Sequence, residues 1–322
     1  YGDDIRLPGE LIARIIRSPH HYARVLSIDC SKAFELPGVV AIATGADAAN
    51  KFGVLPVTKD EHAMAVDKVR HVGDLVACVA AEDEATAREA ERLIEVEYEI
   101  LDSIHDMRDG LKNNEYPIHD RGKYHIGNTN VQKRVFQEFG DVDGIKTNAI
   151  ASHKENWLFA GVNHAATEPH AVVAHWDPSG RLTLYTPQQV PHYVHRALAD
   201  VLEIPMHQIN VHRTFVGGGF GGKSDPCPLE MCSAILARKS GRPVRITFDR
   251  EEVYWINRGR HPSRIEMNLH ADDKGRICGI ETDALIDGGG FASFGHVTTY
   301  YNGVLHTAPS VSYTHLTLPT KA

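Results

Sequence analysis

The sequence predicts an α+β protein with two domains in series. Three observations carry that reading. Over residues 1–110, short β-branched runs alternate with short helical segments. After Lys146, strand signals joined by tight turns dominate. A chain of 322 residues is also long enough to divide its apolar residues between two cores. Residues 111–145 read as a linker, 146–310 as the second domain, and 311–322 as a non-native tail.

The first domain opens with a strand at Leu11–Arg17, stopped by Ser18-Pro19. A second strand runs from Ala23 to Cys30, and Ser31–Leu36 is a short helix closed by Pro37-Gly38. Val39–Thr44 is β-branched and apolar, hence a strand. A turn over Val69–Asp74 precedes a buried strand at Leu75–Ala80. Asp83 caps a helix from Glu84 to Ile94, with Ala87, Ala90 and Ile94 at helical spacing. Glu95–Ile100 alternates acidic and apolar residues, the period of a half-exposed strand.

Asn113-Asn114, Arg121-Gly122 and Gly127-Asn128 punctuate the linker. Beyond it, Ala171–Trp176 and Leu182–Thr186 flank the turn Asp177-Pro178-Ser179-Gly180 and form a hairpin. His195–Leu202 is a helix that stops before Pro205; Ile209–Val211 is a strand. Leu229–Arg238 is an apolar helix ending near Ser240-Gly241. Val244–Phe248, Arg264–Leu269 and Ile277–Ile286 are strands, the last two joined by a hairpin at Asp272–Gly275.

A net charge of −8 without any basic block excludes a surface that tracks nucleic-acid phosphates. No run of about 18 apolar residues is present to span a bilayer, and no signal peptide is expected. Cys30, Cys78, Cys227, Cys232 and Cys278 are scattered and odd in number, which fits buried thiols in a reducing, cytoplasmic compartment. No CxxC pair exists to hold zinc or an iron–sulfur cluster, and no metal ligand set is expected. The histidines, His192 and His195 among them, read as surface or satisfied core residues.

The chemistry concentrates in Val216-Gly217-Gly218-Gly219-Phe220-Gly221-Gly222-Lys223-Ser224. Five glycines in six positions leave the backbone bare, so main-chain N–H groups are able to meet an anionic or flat ligand. Gly217–Ser224 fits the P-loop spacing literally, and Gly217, Gly219 and Gly222 fit GxGxxG. Both nucleotide readings need a helix starting at the loop's end. Asp225-Pro226-Cys227-Pro228 intervenes and moves helix onset toward Pro228. Asp249 ends the next strand, somewhat beyond the offset of about 20 residues for the ribose-binding acid of a dinucleotide fold, which leaves that clue ambiguous. A plain structural loop is a further alternative.

The order of motifs around this loop resembles the large subunit of molybdenum hydroxylases such as xanthine dehydrogenases and aldehyde oxidoreductases. The residues concerned are Thr167-Glu168-Pro169-His170, Thr186-Pro187-Gln188-Gln189-Val190-Pro191 and the glycine loop itself. The resemblance extends from about residue 5 to about 310, including Arg17-Ser18-Pro19-His20 and Asp67–Asp74. It implies a hammerhead-type α/β domain followed by a truncated molybdopterin-binding α+β domain. A narrower likeness to 4-hydroxybenzoyl-CoA reductase rests on Phe52–Pro56 and Gln189–His195.

By this resemblance Gly218, Gly219, Phe220 and Gly221 lie against molybdopterin. Gln189 then sits beside an oxygen ligand of the metal, its amide donating without adding charge. The alternative role for Gln189 is to cap the following helix. Glu168 is held as tying down a turn, and Arg258–Pro262 as a weaker structural segment. Iron–sulfur clusters and FAD are expected on partner subunits of a hetero-oligomer, with an aromatic or heterocyclic small-molecule substrate. Some relatives carry glutamate directly after the loop lysine; here Ser224 argues against a purine-type substrate. The family's base, a glutamate, is expected in a second cofactor-binding region downstream, so no catalytic residue is assigned to this chain and the fragment is expected to be inactive alone.

Overall fold

The computed structural model describes residues 1–112, 117–119, 129–256 and 258–307. The linker punctuation at Asn113-Asn114, Arg121-Gly122 and Gly127-Asn128 lies outside the described residues, as does the 311–322 tail. In chain order the first elements are β1 (Leu11–Arg17), β2 (Ala23–Asp29), α1 (Ser31–Glu35), β3 (Val39–Thr44), β4 (Lys68–Val69), β5 (Leu75–Ala81), α2 (Glu84–Leu93) and β6 (Glu95–Ile100). Then come α3 (Val142–Asn148), β7 (Ala151–Phe159), β8 (Ala171–Trp176), β9 (Leu182–Thr186), α4 (Pro191–Leu202) and β10 (Ile209–Arg213). The last are α5 (Pro228–Ser240), β11 (Val244–Thr247), α6 (Arg250–Ile256), β12 (Ser263–Ala271), β13 (Ile277–Ile286) and α7 (Gly295–Thr307).

Two compact units result. The first takes Tyr1–Ser103, Asn163–Arg260 and Gly289–Ser293; the second takes Ile104–Val162, His261–Gly288 and Phe294–Ala322. The first unit is organised by a seven-stranded mixed sheet in the order β10-β9-β8-β11-β1-β5-β3. β1 pairs in parallel with β11 and antiparallel with β5, so strands from both predicted segments share one sheet.

Burial on both faces explains the unbroken apolar run of β5, in which every residue from Leu75 to Ala81 is buried. Cys78 and Ala80 join the cluster that contains Leu229, Met231 and Ile235 of α5, whereas Ala77 and Val79 join Ala33 of α1 and Ala90 of α2. α5 is buried at every position from Leu229 to Ala237, which accounts for its lack of a polar face. A smaller sheet, β4-β2-β6, completes this unit. In the second unit β12 pairs antiparallel with both β13 and β7.

Several expectations need correction. α4 begins at Pro191, four residues before the expected start, because proline at the first helical position loses no hydrogen bond there. Val142–Asn148, expected within or beside a linker, is a helix whose Asp141 side chain accepts from the Gly144 N–H. β7 was not expected: all nine of its residues are exposed, so no alternation marks it. Asp249 caps α6, exchanging backbone-to-carboxylate bonds with Glu252, and so has no ribose-binding role. Cys78, Cys227 and Cys232 are buried free thiols, but Cys278 is exposed. Among the described residues no helix is long and apolar enough to cross a membrane.

Candidate functional site

The glycine loop lies in the first unit, between β10 and α5. Turns close it internally: the Gly222 N–H donates to Gly219 O at 2.8 Å, and the Ser224 N–H to Gly221 O at 3.0 Å. Gly218 and Gly221 adopt φ of +98° and +97°, conformations open to glycine at little cost. Phe220 also has positive φ, +52°, and its side chain is 72% exposed. A large aromatic held out to solvent on a left-handed backbone is strained without a compensating gain in packing.

Gln189 reaches the inside of this curve. Its N–H donates to Lys223 O at 2.8 Å, and its Oε1 accepts from the Gly221 N–H at 2.9 Å and the Lys223 N–H at 3.3 Å. With Oε1 committed, the amide nitrogen remains as a donor with no partner among the described residues. Gln189 does not cap α4, whose N-cap is Val190. The approach is close: a Cβ on Gly219 would stand 2.4 Å from Gln189 Oε1. The sequence-predicted residues Gln189, Gly218, Gly219, Phe220 and Gly221 therefore come together, although the Gly221 N–H is spent on Gln189.

Among the described residues, the N–H groups of Gly218, Gly219 and Phe220 have no hydrogen-bond partner. Gly219 is buried, and a buried backbone donor without a partner calls for an external acceptor. Successive free N–H groups on a loop with alternating hand form a concavity suited to an anion or to oxygen ligands of a metal. The Gln189 amide adds a neutral donor. This donor set fits molybdopterin and the oxygen ligands of its metal, and it offers nothing that would ligate a bare cation. Among the described residues no group of three or more histidine, cysteine, aspartate or glutamate side chains is placed to hold a metal ion.

Lys223, the residue a P-loop would aim at phosphate, is only 2% exposed, and its Nζ donates to Glu168 Oε2 at 2.7 Å. The following helix starts at Pro228, beyond the loop. Both nucleotide alternatives therefore fail: the lysine is an internal counterion, and no helix N-terminus meets the glycines.

Glu230 was missed by sequence reasoning. Its Oε2 accepts from the Cys227 N–H at 2.7 Å, and its Oε1 accepts from Thr186 Oγ1 at 3.0 Å and Gln188 Nε2 at 2.6 Å. Gln188 Nε2 also donates to Asp225 O at 3.1 Å. One carboxylate thus caps α5 and anchors the segment that delivers Gln189. Burial pushes its pKa up to about 7, against the three donors that lower it. The signal available was a cap-like spacing, Cys227 followed three residues later by Glu230.

Beyond the loop, Asp225 accepts from Arg258 Nη1 at 2.7 Å and from Ser293 Oγ. Arg258 also pairs with Glu61, so its role is to brace the loop's exit. Burial raises Asp225 to about 6 and lowers Arg258 to about 10.

The chain is similar to known proteins along most of its length. Residues 1–102 match the aldehyde oxidase and xanthine dehydrogenase a/b hammerhead domain, and residues 124–316 match the molybdopterin cofactor-binding domain. The chain is 32% identical over 297 residues to the nicotinate dehydrogenase large molybdopterin subunit of Eubacterium barkeri, covering 92% of this chain and 68% of that one. It is 30% identical to the xanthine dehydrogenase molybdenum-binding subunit of Escherichia coli O157:H7, covering 98% of this chain and 43% of that one. Quinoline 2-oxidoreductase from Pseudomonas putida 86 superposes with a TM-score of 0.79 at 31% identity, over 88% of this chain and 36% of that one.

Proposed function

We propose that this chain, which belongs to the aldehyde oxidase and xanthine dehydrogenase family of molybdenum hydroxylases, provides the wall of the active site that orients molybdopterin for hydroxylation of a nitrogen heteroaromatic substrate. The family is one of molybdenum-dependent oxidoreductases, and the chain carries its hammerhead and molybdopterin-binding domains. When bound, the cofactor supplies oxygen transfer coupled to two-electron exchange. Gly218, Gly219 and Phe220 offer three backbone donors to it, and Gln189 a fourth. Fixed donors of this kind need no reorganisation as charge develops, which is the largest common source of rate enhancement. The exposed ring of Phe220 presents an apolar edge that would shield a substrate bound beside the cofactor from water.

The single observation that carries the proposal is the pinning of Gln189 Oε1 by two loop N–H groups beside three unpartnered ones. A heteroaromatic substrate is supported by relatives named for nicotinate and quinoline, and Ser224, where some relatives carry glutamate, argues against a purine among them. The reductive reading, dehydroxylation of 4-hydroxybenzoyl-CoA, has less behind it: Phe52 is fully buried and bridges Glu61, a packing role. Relatives named as large or molybdenum-binding subunits support a hetero-oligomer, and we assign electron transfer to iron–sulfur and FAD partners in the cytoplasm.

The test is chemical. Purified holoenzyme incubated with nicotinate or quinoline in 18O-labelled water should yield the hydroxylated ring carrying the label. Transfer of no label to any heterocycle, with 4-hydroxybenzoyl-CoA reduced instead, would reverse the assigned direction.

A further inference from the structure

We infer that Glu168 and His170 form a clasp that sets the curvature of the cofactor loop, with Glu168 as a positioning residue for molybdopterin. This rests on the cofactor reading above and extends it to residues that touch no ligand. Pro169 favours extended backbone at Glu168, and extended chain puts alternate side chains on one face. Both side chains meet the loop accordingly.

One carboxylate oxygen gathers the loop's two ends. Glu168 Oε2 accepts from the Gly217 N–H at 2.7 Å and from Lys223 Nζ at 2.7 Å, while Glu168 N–H donates to Gly217 O at 3.1 Å. Its second oxygen, Oε1, accepts from the Gly2 N–H at 3.1 Å. His170 Nε2 lies 3.3 Å from Gly222 O. Burial lowers the imidazole to about 4, so the ring is neutral and Nε2 carries the proton donated to that carbonyl. The clasp is itself held from behind: Arg250 donates to Ala166 O and Thr167 O, each at 2.7 Å.

The consequence is a division of labour around the loop. Glu168 takes the N–H at position 217, and Gln189 takes those at 221 and 223, so the unclaimed donors are the three between them. Glu168 and Lys223 also cancel each other's charge, and a neutral support neither repels nor competes for an anionic cofactor. Glu168 thereby acts on the cofactor through Gly217 and Lys223, and through Lys223 on Gln189.

The experiment uses the complete holoenzyme and two variants, Glu168→Gln and the double substitution Glu168→Met with Lys223→Met. The double variant leaves no unpaired buried charge, and it carries the test should Glu168→Gln fail to fold. Three quantities are read: thermal unfolding after cofactor removal, pterin retained per subunit after desalting, and the molybdenum EPR line shape. The clasp predicts that the double variant unfolds near the unaltered temperature yet retains at least tenfold less pterin, with an altered EPR signal in what remains. Full pterin retention and an unchanged line shape in that variant would show that Glu168 only supports folding, and would overturn the inference. Absence of pterin from the unaltered holoenzyme would instead overturn the cofactor reading, and is distinguished by appearing without any substitution.

Discussion

Replacing Gly219 with alanine adds one methyl group at the tightest point of the site. That carbon would lie 2.4 Å from Gln189 Oε1, 2.6 Å from its Cδ and 3.0 Å from its Cγ. Gly219 does not have positive φ, so backbone strain adds nothing to the outcome. Relief requires the carboxamide to retreat by about 1 Å, which carries the bonds from the Gly221 and Lys223 N–H groups out of hydrogen-bonding range. Two such bonds contribute about 1–3 kcal/mol together. Transmitted to the cofactor, that loss is roughly 5- to 150-fold in affinity. The assay is pterin retained after dilution and desalting, alongside thermal unfolding. Gly110→Ala is the control, since among the described residues the nearest atom to an added Cβ, apart from its chain neighbours, is Asn130 Cβ at 4.0 Å. Wild-type retention in Gly219→Ala would refute the claim that Gln189 is held by the loop in the working site.

Four further outcomes follow from the same geometry. Lys223→Met strands a buried carboxylate and should cost about 3–5 kcal/mol in urea unfolding, while ATP titration shows no binding before or after the change. Glu230, raised to about 7 from an ordinary 4.5, binds a proton more readily when folded. Its contribution is complete below pH 4.5 and is lost as pH rises through 7, a change of about 3 kcal/mol. Glu230→Gln should abolish that part of the decline in urea melts across this window. His170, lowered to about 4, acts in the opposite sense and loses stability as pH falls from 6.5 toward 4. Phe220→Gly removes a left-handed non-glycine residue, so unfolding of the cofactor-free form should stay level or rise by about 1 kcal/mol, while pterin retention falls.

The sequence disclosed the parts of the fold where burial follows a simple period. β1, β3, β9 and β13 begin and end where β-branched runs meet proline, glycine or aspartate. The hairpin at Asp177–Gly180 was legible because its turn chemistry is local. β7 was not, because a strand exposed along its whole length carries no alternation. α6 and α5 had available signals in Asp249 with Glu252 and in Cys227 with Glu230, both cap spacings read as something else or passed over. At the site, the bare loop was visible from residue type and Gln189 from the family resemblance. Glu168 was legible only as tying down a turn and Glu230 only as a cap spacing, because their wider roles lie in bonds spanning 49 and 44 residues, which no local pattern encodes.

A crystal structure of the cofactor-loaded holoenzyme tests the central claim most directly. The account predicts Gln189 Nε2 and the Gly218–Phe220 N–H groups within about 2.7–3.2 Å of oxygen atoms of the cofactor or its metal ligands. A cofactor seated elsewhere, with those donors facing bulk water, would contradict it.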